Sequence, residues 1–137
     1  IVNSRPRASA AVLRNGGKEV LMVKHVWPNG RTYWQFPGGG ASANETLEET
    51  VIRELKEETG LEGSNPQKVF ELPYSKGIST TFLVDVDDNV APVLGIDPEE
   101  ENDDHQKLAA VAWMPLADHL ENSEVKALLK YFEETNH

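Results

Sequence analysis

Three glutamates stand close together in the run RELKEETG, Arg53 to Gly60: Glu54, Glu57 and Glu58. On a helix they occupy positions i, i+3 and i+4 and crowd one face, where like charges cost about 0.2–0.5 kcal/mol per pair. Two readings account for that cost. One is a solvated acidic face with Arg53 and Lys56 as partners. The other is a site for hard divalent cations, since Mg²⁺ takes one or two protein carboxylates, keeps several waters and draws its remaining oxygens from substrate phosphates. Three carboxylates converging from one turn, beside exposed carbonyls of a glycine loop, could hold such ions, and binding would remove the repulsion. Projected at about 100° per residue, Glu58 falls at the edge of the stripe formed by Val51 and Leu55. A half-buried carboxylate is costly unless paired or metal-bound.

The elements needed to position this face are legible around it. Thr46 with Glu49 has the form of a capping box, Leu47, Val51, Ile52 and Leu55 supply a helical apolar stripe, and Gly60 sits where a left-handed C-terminal residue belongs, which predicts a helix over 47–59. Upstream, ASAAVLR (8–14) and EVLMVKH (19–25) read as strands flanking the hairpin signal NGGK. A second turn at Pro28, Asn29 and Gly30 precedes an aromatic strand. PGGG (37–40) then reads as a break in regular structure, because proline removes a donor and glycine permits positive φ. Downstream, KVFEL (68–72), STTFLVDV (79–86) and LAAVAWM (108–114) read as strands. A last helix starts after Asn122 or Ser123 with Val125, Leu128, Leu129 and Phe132 on one face. Strands on both sides of a helix predict a mixed sheet covered by helices.

Composition narrows the chemistry. The 137 residues suit a single domain, 1–137, with 39% hydrophobic and 26% charged residues. A net charge of −10 without Lys/Arg clusters argues against stable nucleic-acid binding. Zero cysteines remove disulfides, thiol nucleophiles and Cys-ligated zinc. No apolar run has the length of a membrane span and no signal-peptide core opens the chain, so a cytoplasmic protein is expected.

From Gly39 the sequence reads GGASANETLEETVIRELKEETGL, which fits G-x5-E-x7-R-E-U-x-E-E-x-G-U without a departure at Gly39, Glu45, Arg53, Glu54, Leu55, Glu57, Glu58, Gly60 and Leu61. This resembles the box of the Nudix hydrolases, and VLMVKH, YWQFPGGG and VAWMPLADHL resemble the family's flanking strands. The resemblance implies an α/β/α sandwich with a mixed β-sheet between helices. It also implies Mg²⁺- or Mn²⁺-dependent hydrolysis of a nucleoside diphosphate linked to another group X, by water attack on phosphorus. Carried over by position, Glu54, Glu57 and Glu58 would bind metal with the Gly38 carbonyl, and Arg53 would orient the carboxylates. Glu45 would support the loop and helix start, while Gly39 and Gly60 would serve backbone geometry. The general base would be Glu54 or an acid of a later loop, here DPEEENDDH (97–105), which offers Glu99, Glu100, Glu101, Asp103 and Asp104. A solvated acidic run is the alternative for that loop.

Substrate contacts are sought among Lys24, Arg5 and Arg7 for phosphate, with Lys24 preferred, and among Trp27, Tyr33, Tyr74 and Phe82 for base stacking. The core is an equal reading for each aromatic. Pro73 and Tyr74 lie near a position that distinguishes some subfamilies. His25, His105, His119 and His137 sit in no H-E-x-x-H pattern and read as packing or surface residues. DVDDNV (85–90) fails as a calcium loop at Val90 and Ile96, and GGGASA is neither a phosphate loop nor a dinucleotide fingerprint. A non-catalytic nucleotide-binding module of the same fold is the rival from another class, and the isomerase branch is opposed by the missing cysteine. Oxidised nucleoside triphosphates, ADP-ribose, nucleotide sugars and dinucleoside polyphosphates all remain open as substrates. No feature separates a monomer from a homodimer.

Overall fold

The computed structural model describes residues 5–87, 89–95 and 107–135. Alternation along the strands decides the architecture. In β1 (Arg7–Ala11), Ala8 and Ala10 enter one apolar cluster with Val51, Leu55, Leu61, Phe82 and Val84, whereas Ala11 enters a second with Phe36, Leu116, Val125 and Leu128. In β3 (Glu19–Val26), Leu21 points into the first cluster and its neighbours Val20 and Met22 into the second. A strand buried on both faces needs a cover on each side. Helix α1 (Leu47–Thr59) provides the first cover and α2 (Ser123–Thr135) the second, so the expected α/β/α sandwich is present.

Among the described residues, the layer between the helices is two four-stranded sheets. In the first, β5 (Gly38–Gly40), β1, β7 (Gly77–Asp85) and β6 (Ser64–Tyr74) lie side by side, with β1 and β7 parallel and the other pairs antiparallel. In the second, β3 pairs antiparallel with β2 (Leu13–Arg14), β4 (Thr32–Gln35) and β8 (Lys107–Pro115). The NGGK turn joins β2 to β3 through left-handed Asn15, Gly16 and Gly17. Strand β6 runs beyond the expected 68–72 and contains Pro66 and Pro73. It lies at the edge of its sheet, where a missing N–H costs little, so both prolines are tolerated within the strand.

The PGGG run departs from expectation. Gly38, Gly39 and Gly40 form β5, paired antiparallel with Ser9, Ala8 and Arg7, and none has positive φ. These glycines are needed for closeness instead. A Cβ on Gly38 would lie 2.3 Å from the Ala8 carbonyl oxygen, and one on Gly39 2.5 Å from the Glu54 carboxyl carbon.

Helix α1 follows the sequence. Thr46 accepts from the Glu49 N–H at 3.1 Å and Glu49 accepts from the Thr46 N–H at 2.9 Å, completing the capping box. Gly60 closes the helix in the left-handed region at φ 76°, donating to the Lys56 carbonyl. Asn122 begins α2: its Oδ1 accepts from the Glu124 and Val125 N–H groups, and its Nδ2 donates to the Trp34 carbonyl at 2.9 Å.

Candidate active site

Helix α1 presents its carboxylates to β5. Glu54 and Glu58 are 3% and 0% exposed, so burial goes further than the projection of Glu58 alone implied. The reason is β5, which covers the Glu54 side of the helix with a strand lacking side chains. Glu57 stays half-buried.

One guanidinium organises the group. Arg53 Nε and Nη2 donate to Glu45 at 2.7 and 2.9 Å as a fork, and Nη2 also reaches the Gly40 carbonyl at 3.2 Å. Its Nη1 donates to Glu57 at 2.8 and 3.2 Å and to Glu54 at 3.1 Å. These bonds hold the Glu45 carboxyl down at about 2, while burial opposes the shift, and they raise the Arg53 pKa further. Lys56, the other suggested partner, pairs instead with Glu62 at 2.9 Å. Glu45 also accepts from the Ser42 N–H and the Thr50 hydroxyl, tying the loop before α1 to the helix.

Glu58 faces the glycine strand, accepting from the Gly38 N–H at 3.1 Å. Thus Glu54 and Glu57 share Arg53, while Glu58 holds β5. Among the described residues no three acidic or imidazole side chains form a ready coordination group. The donor chemistry nevertheless fits a hard cation, being carboxylate oxygens on one helical turn beside a strand with no side chains to exclude an ion. Behind them, the Val93 and Gly95 N–H groups donate to the Thr59 and Glu58 carbonyls, each at 2.8 Å. A Cβ on Gly95 would lie 1.8 Å from the Glu57 carbonyl oxygen, so only glycine fits against this turn. The acids of 97–105, together with His105 and His137, lie outside the described residues.

The other candidates divide. Arg7, Tyr33, Gln35, Tyr74, Ser79 and Asn122 are among the residues lining a cleft of about 210 Å³. Arg7 donates to Ser79 at 3.0 Å and the Tyr74 hydroxyl to the Arg5 carbonyl. Arg5 Nε also donates to the Ala41 carbonyl at 3.3 Å. Lys24 lies on β3 opposite Trp34 and does not line this cleft. Phe82 is core, 2% exposed, and offers no face for stacking on a base. Trp27 is exposed at the end of a stack running Trp27, Tyr33, His25. A hollow of about 430 Å³ lined by residues such as Asn65, Gln67 and Asp85 involves no residue of α1. Glu124 also reaches the cleft, and the sequence pattern does not single it out, because an acid in a first helical turn ordinarily reads as a dipole partner.

His25 is a packing residue with a pH signature. It stacks on Tyr33 and shares a 2.9 Å bond with Gln35, and burial, aided by Arg7, lowers its pKa to about 4. The folded protein therefore binds its proton less readily than the unfolded chain. Stability is full above the ordinary histidine value of 6.5 and is lost as pH falls toward 4. Urea unfolding should show a loss of about 1–2 kcal/mol between pH 6.5 and 5 that His25→Asn removes; an equal loss in that variant would refute the assignment.

The NUDIX domain family model matches residues 4–134. Among curated proteins, the RNA pyrophosphohydrolase of Marinomonas sp. (strain MWYL1) is 45% identical over 51 residues, 37% of this chain and 30% of that protein. The RNA pyrophosphohydrolase of Hydrogenovibrio crunogenus is 41% identical over 61 residues, 44% of this chain and 34% of that protein. The chain thus spans about a third of the length of these relatives. Among solved structures, the MutT protein from Methanosarcina mazei Go1 superposes with TM-score 0.67 at 20% identity, over 99% of this chain and 98% of that one.

Proposed function

The chain belongs to the NUDIX domain family, and from that premise we propose that it is a divalent-cation-dependent pyrophosphohydrolase. It cleaves the diphosphate linkage of a nucleoside diphosphate joined to another group. The observation that carries the proposal is the arrangement on α1: an unbroken box in which Arg53 gathers Glu45, Glu54 and Glu57 while Glu58 grips the glycine strand.

Mg²⁺ or Mn²⁺ would be held by Glu54, Glu57, Glu58 and the Gly38 carbonyl. When bound, such an ion clamps the diphosphate, offsets charge developing on it and lowers the pKa of the attacking water. The chain's own residues set the geometry. Arg53 fixes the carboxylate directions through its fork to Glu45, and Gly39 keeps β5 within contact of Glu54. Gly60 ends α1 directly after the carboxylate turn. Either Glu54 or an acid of 97–105 takes the proton from water. For the rest of the substrate, the cleft offers Arg7 as a cation, with Tyr33 and Tyr74 as aromatic surfaces. An acidic protein can meet an anionic substrate through cations, which favours this cleft over the hollow beside Asp85.

The test is a hydrolysis screen of oxidised nucleoside triphosphates, ADP-ribose, nucleotide sugars and dinucleoside polyphosphates, with products identified. Turnover in Mg²⁺ or Mn²⁺ that EDTA abolishes is the expected result. Nucleotide binding without turnover in any divalent ion would establish the binding-module alternative.

A further inference from the structure

The run Phe36–Pro37–Gly38 is gripped from both faces of the sheet. On the α1 side, Glu58 Oε1 accepts the Gly38 N–H at 3.1 Å; on the α2 side, Glu124 Oε1 accepts the Phe36 N–H at 2.9 Å. Between them Pro37 has no N–H, and its carbonyl accepts from the Ala10 N–H at 2.8 Å. Two buried glutamates from two helices thus hold alternate residues of one short segment.

Glu124 is an expensive group to place there. It is 9% exposed, and burial raises its pKa, against the opposing pull of Arg7, the Phe36 N–H and Ser9. Its second oxygen accepts from Ser9 Oγ at 3.1 Å, and Ser9 is bonded in turn to Thr81 at 2.8 Å. Both oxygens are therefore engaged by the protein. The start of α2 is anchored, because Asn122 caps the helix and ties it to the Trp34 carbonyl. An apolar residue would avoid the desolvation cost but leave the buried Phe36 N–H without its acceptor, so what the carboxylate provides at this position is a fixed hold on that N–H.

We propose that Glu124 is a positioning residue for the carboxylate site: by fixing the Phe36 N–H it sets where Gly38 meets Glu58 and where Gly39 meets Glu54. The contacts leave little tolerance. A Cβ on Gly39 would come within 2.7 Å of all three carboxyl atoms of Glu54, so β5 already lies against that carboxylate. Movement of the segment by a few tenths of an ångström changes both carboxylates together. The target of this control is divalent-cation affinity, and it rests on the cation site proposed above.

The test compares Mn²⁺ binding, by the EPR signal of free Mn²⁺, in wild type, E124Q and E124D. Gln keeps the reach and the acceptor for Phe36 and loses the charge; Asp keeps the charge and is one methylene short. E124Q should bind Mn²⁺ within about twofold of wild type and E124D about tenfold more weakly, the scale of supporting-residue effects on metal sites. Wild-type affinity in a folded E124D, or an equal loss in E124Q, overturns the proposal. Should E124D not fold, the wild-type chain decides: Mg²⁺ should shift the Phe36 amide resonance, and an unmoved resonance overturns the coupling. A wild-type chain that binds no Mn²⁺ overturns the cation site itself and this inference with it. Wild-type binding with an unaffected E124D overturns this inference alone.

Discussion

Glu58→Gln is expected to lower kcat on the best substrate by about a hundred- to a thousandfold, equivalent to about 2.7–4 kcal/mol of transition-state stabilisation, with little change in Tm. The two effects separate because of what the side chain does in the fold. Glu58 is fully buried and accepts from the Gly38 N–H at 3.1 Å. A glutamine of the same shape can still accept that bond, so β5 stays in place. The neutral amide is also cheaper to bury than a carboxylate. What disappears is the anionic oxygen, and full burial leaves no water to replace it. Glu48→Gln, in the exposed first turn of α1, is the control and should keep kcat within about twofold. Phosphate release at saturating Mg²⁺ decides it: undiminished kcat in Glu58→Gln would sink the catalytic assignment, and a collapse in Tm would assign the residue a structural role.

How much of this was readable beforehand depended on the range of the contacts involved. Helix α1 was legible because Thr46, Glu49 and Gly60 act within one turn of the ends they set. The burial of Glu54 was not, because its cover is β5, and the PGGG run gives no strand pattern. Local rules assign glycine to turns, whereas here it permits contact with Ala8 and Glu54. Arg53 could be assigned to its carboxylates through the family resemblance, yet its donation to Gly40 links the box to the strand across a loop. Glu124 was invisible for a related reason. Its partners Phe36 and Ser9 are remote in sequence, and one helical turn holds no sign of them. Phe82 shows the opposite limit, since an aromatic on an alternating strand suits core and cleft equally until the sheet gives its face an inside.

Arg53→Lys carries the other large expected effect, although it conserves charge. The guanidinium makes a fork to Glu45 at 2.7 and 2.9 Å, reaches Gly40 at 3.2 Å, and donates from Nη1 to Glu57 and Glu54 at 2.8 and 3.1 Å. A lysine ammonium is a single point with three donors and cannot serve Glu45 and the Glu54–Glu57 pair together. If it stays with Glu45, Glu54 is left buried beside Glu57 without its cation; if it moves to that pair, the loop carrying Glu45 loses its tie to α1. Either choice misdirects the carboxylates, so kcat should fall about 10- to 100-fold, as for residues that orient metal ligands. Raising Mg²⁺ recovers the part that reflects weaker cation binding and leaves the part that reflects wrong carboxylate directions. A residual deficit at saturating Mg²⁺ is therefore the expected signature. Complete rescue would mean that Arg53 acts only through cation affinity, and wild-type kinetics at limiting as well as saturating Mg²⁺ would mean that the fork has no role in orienting the site.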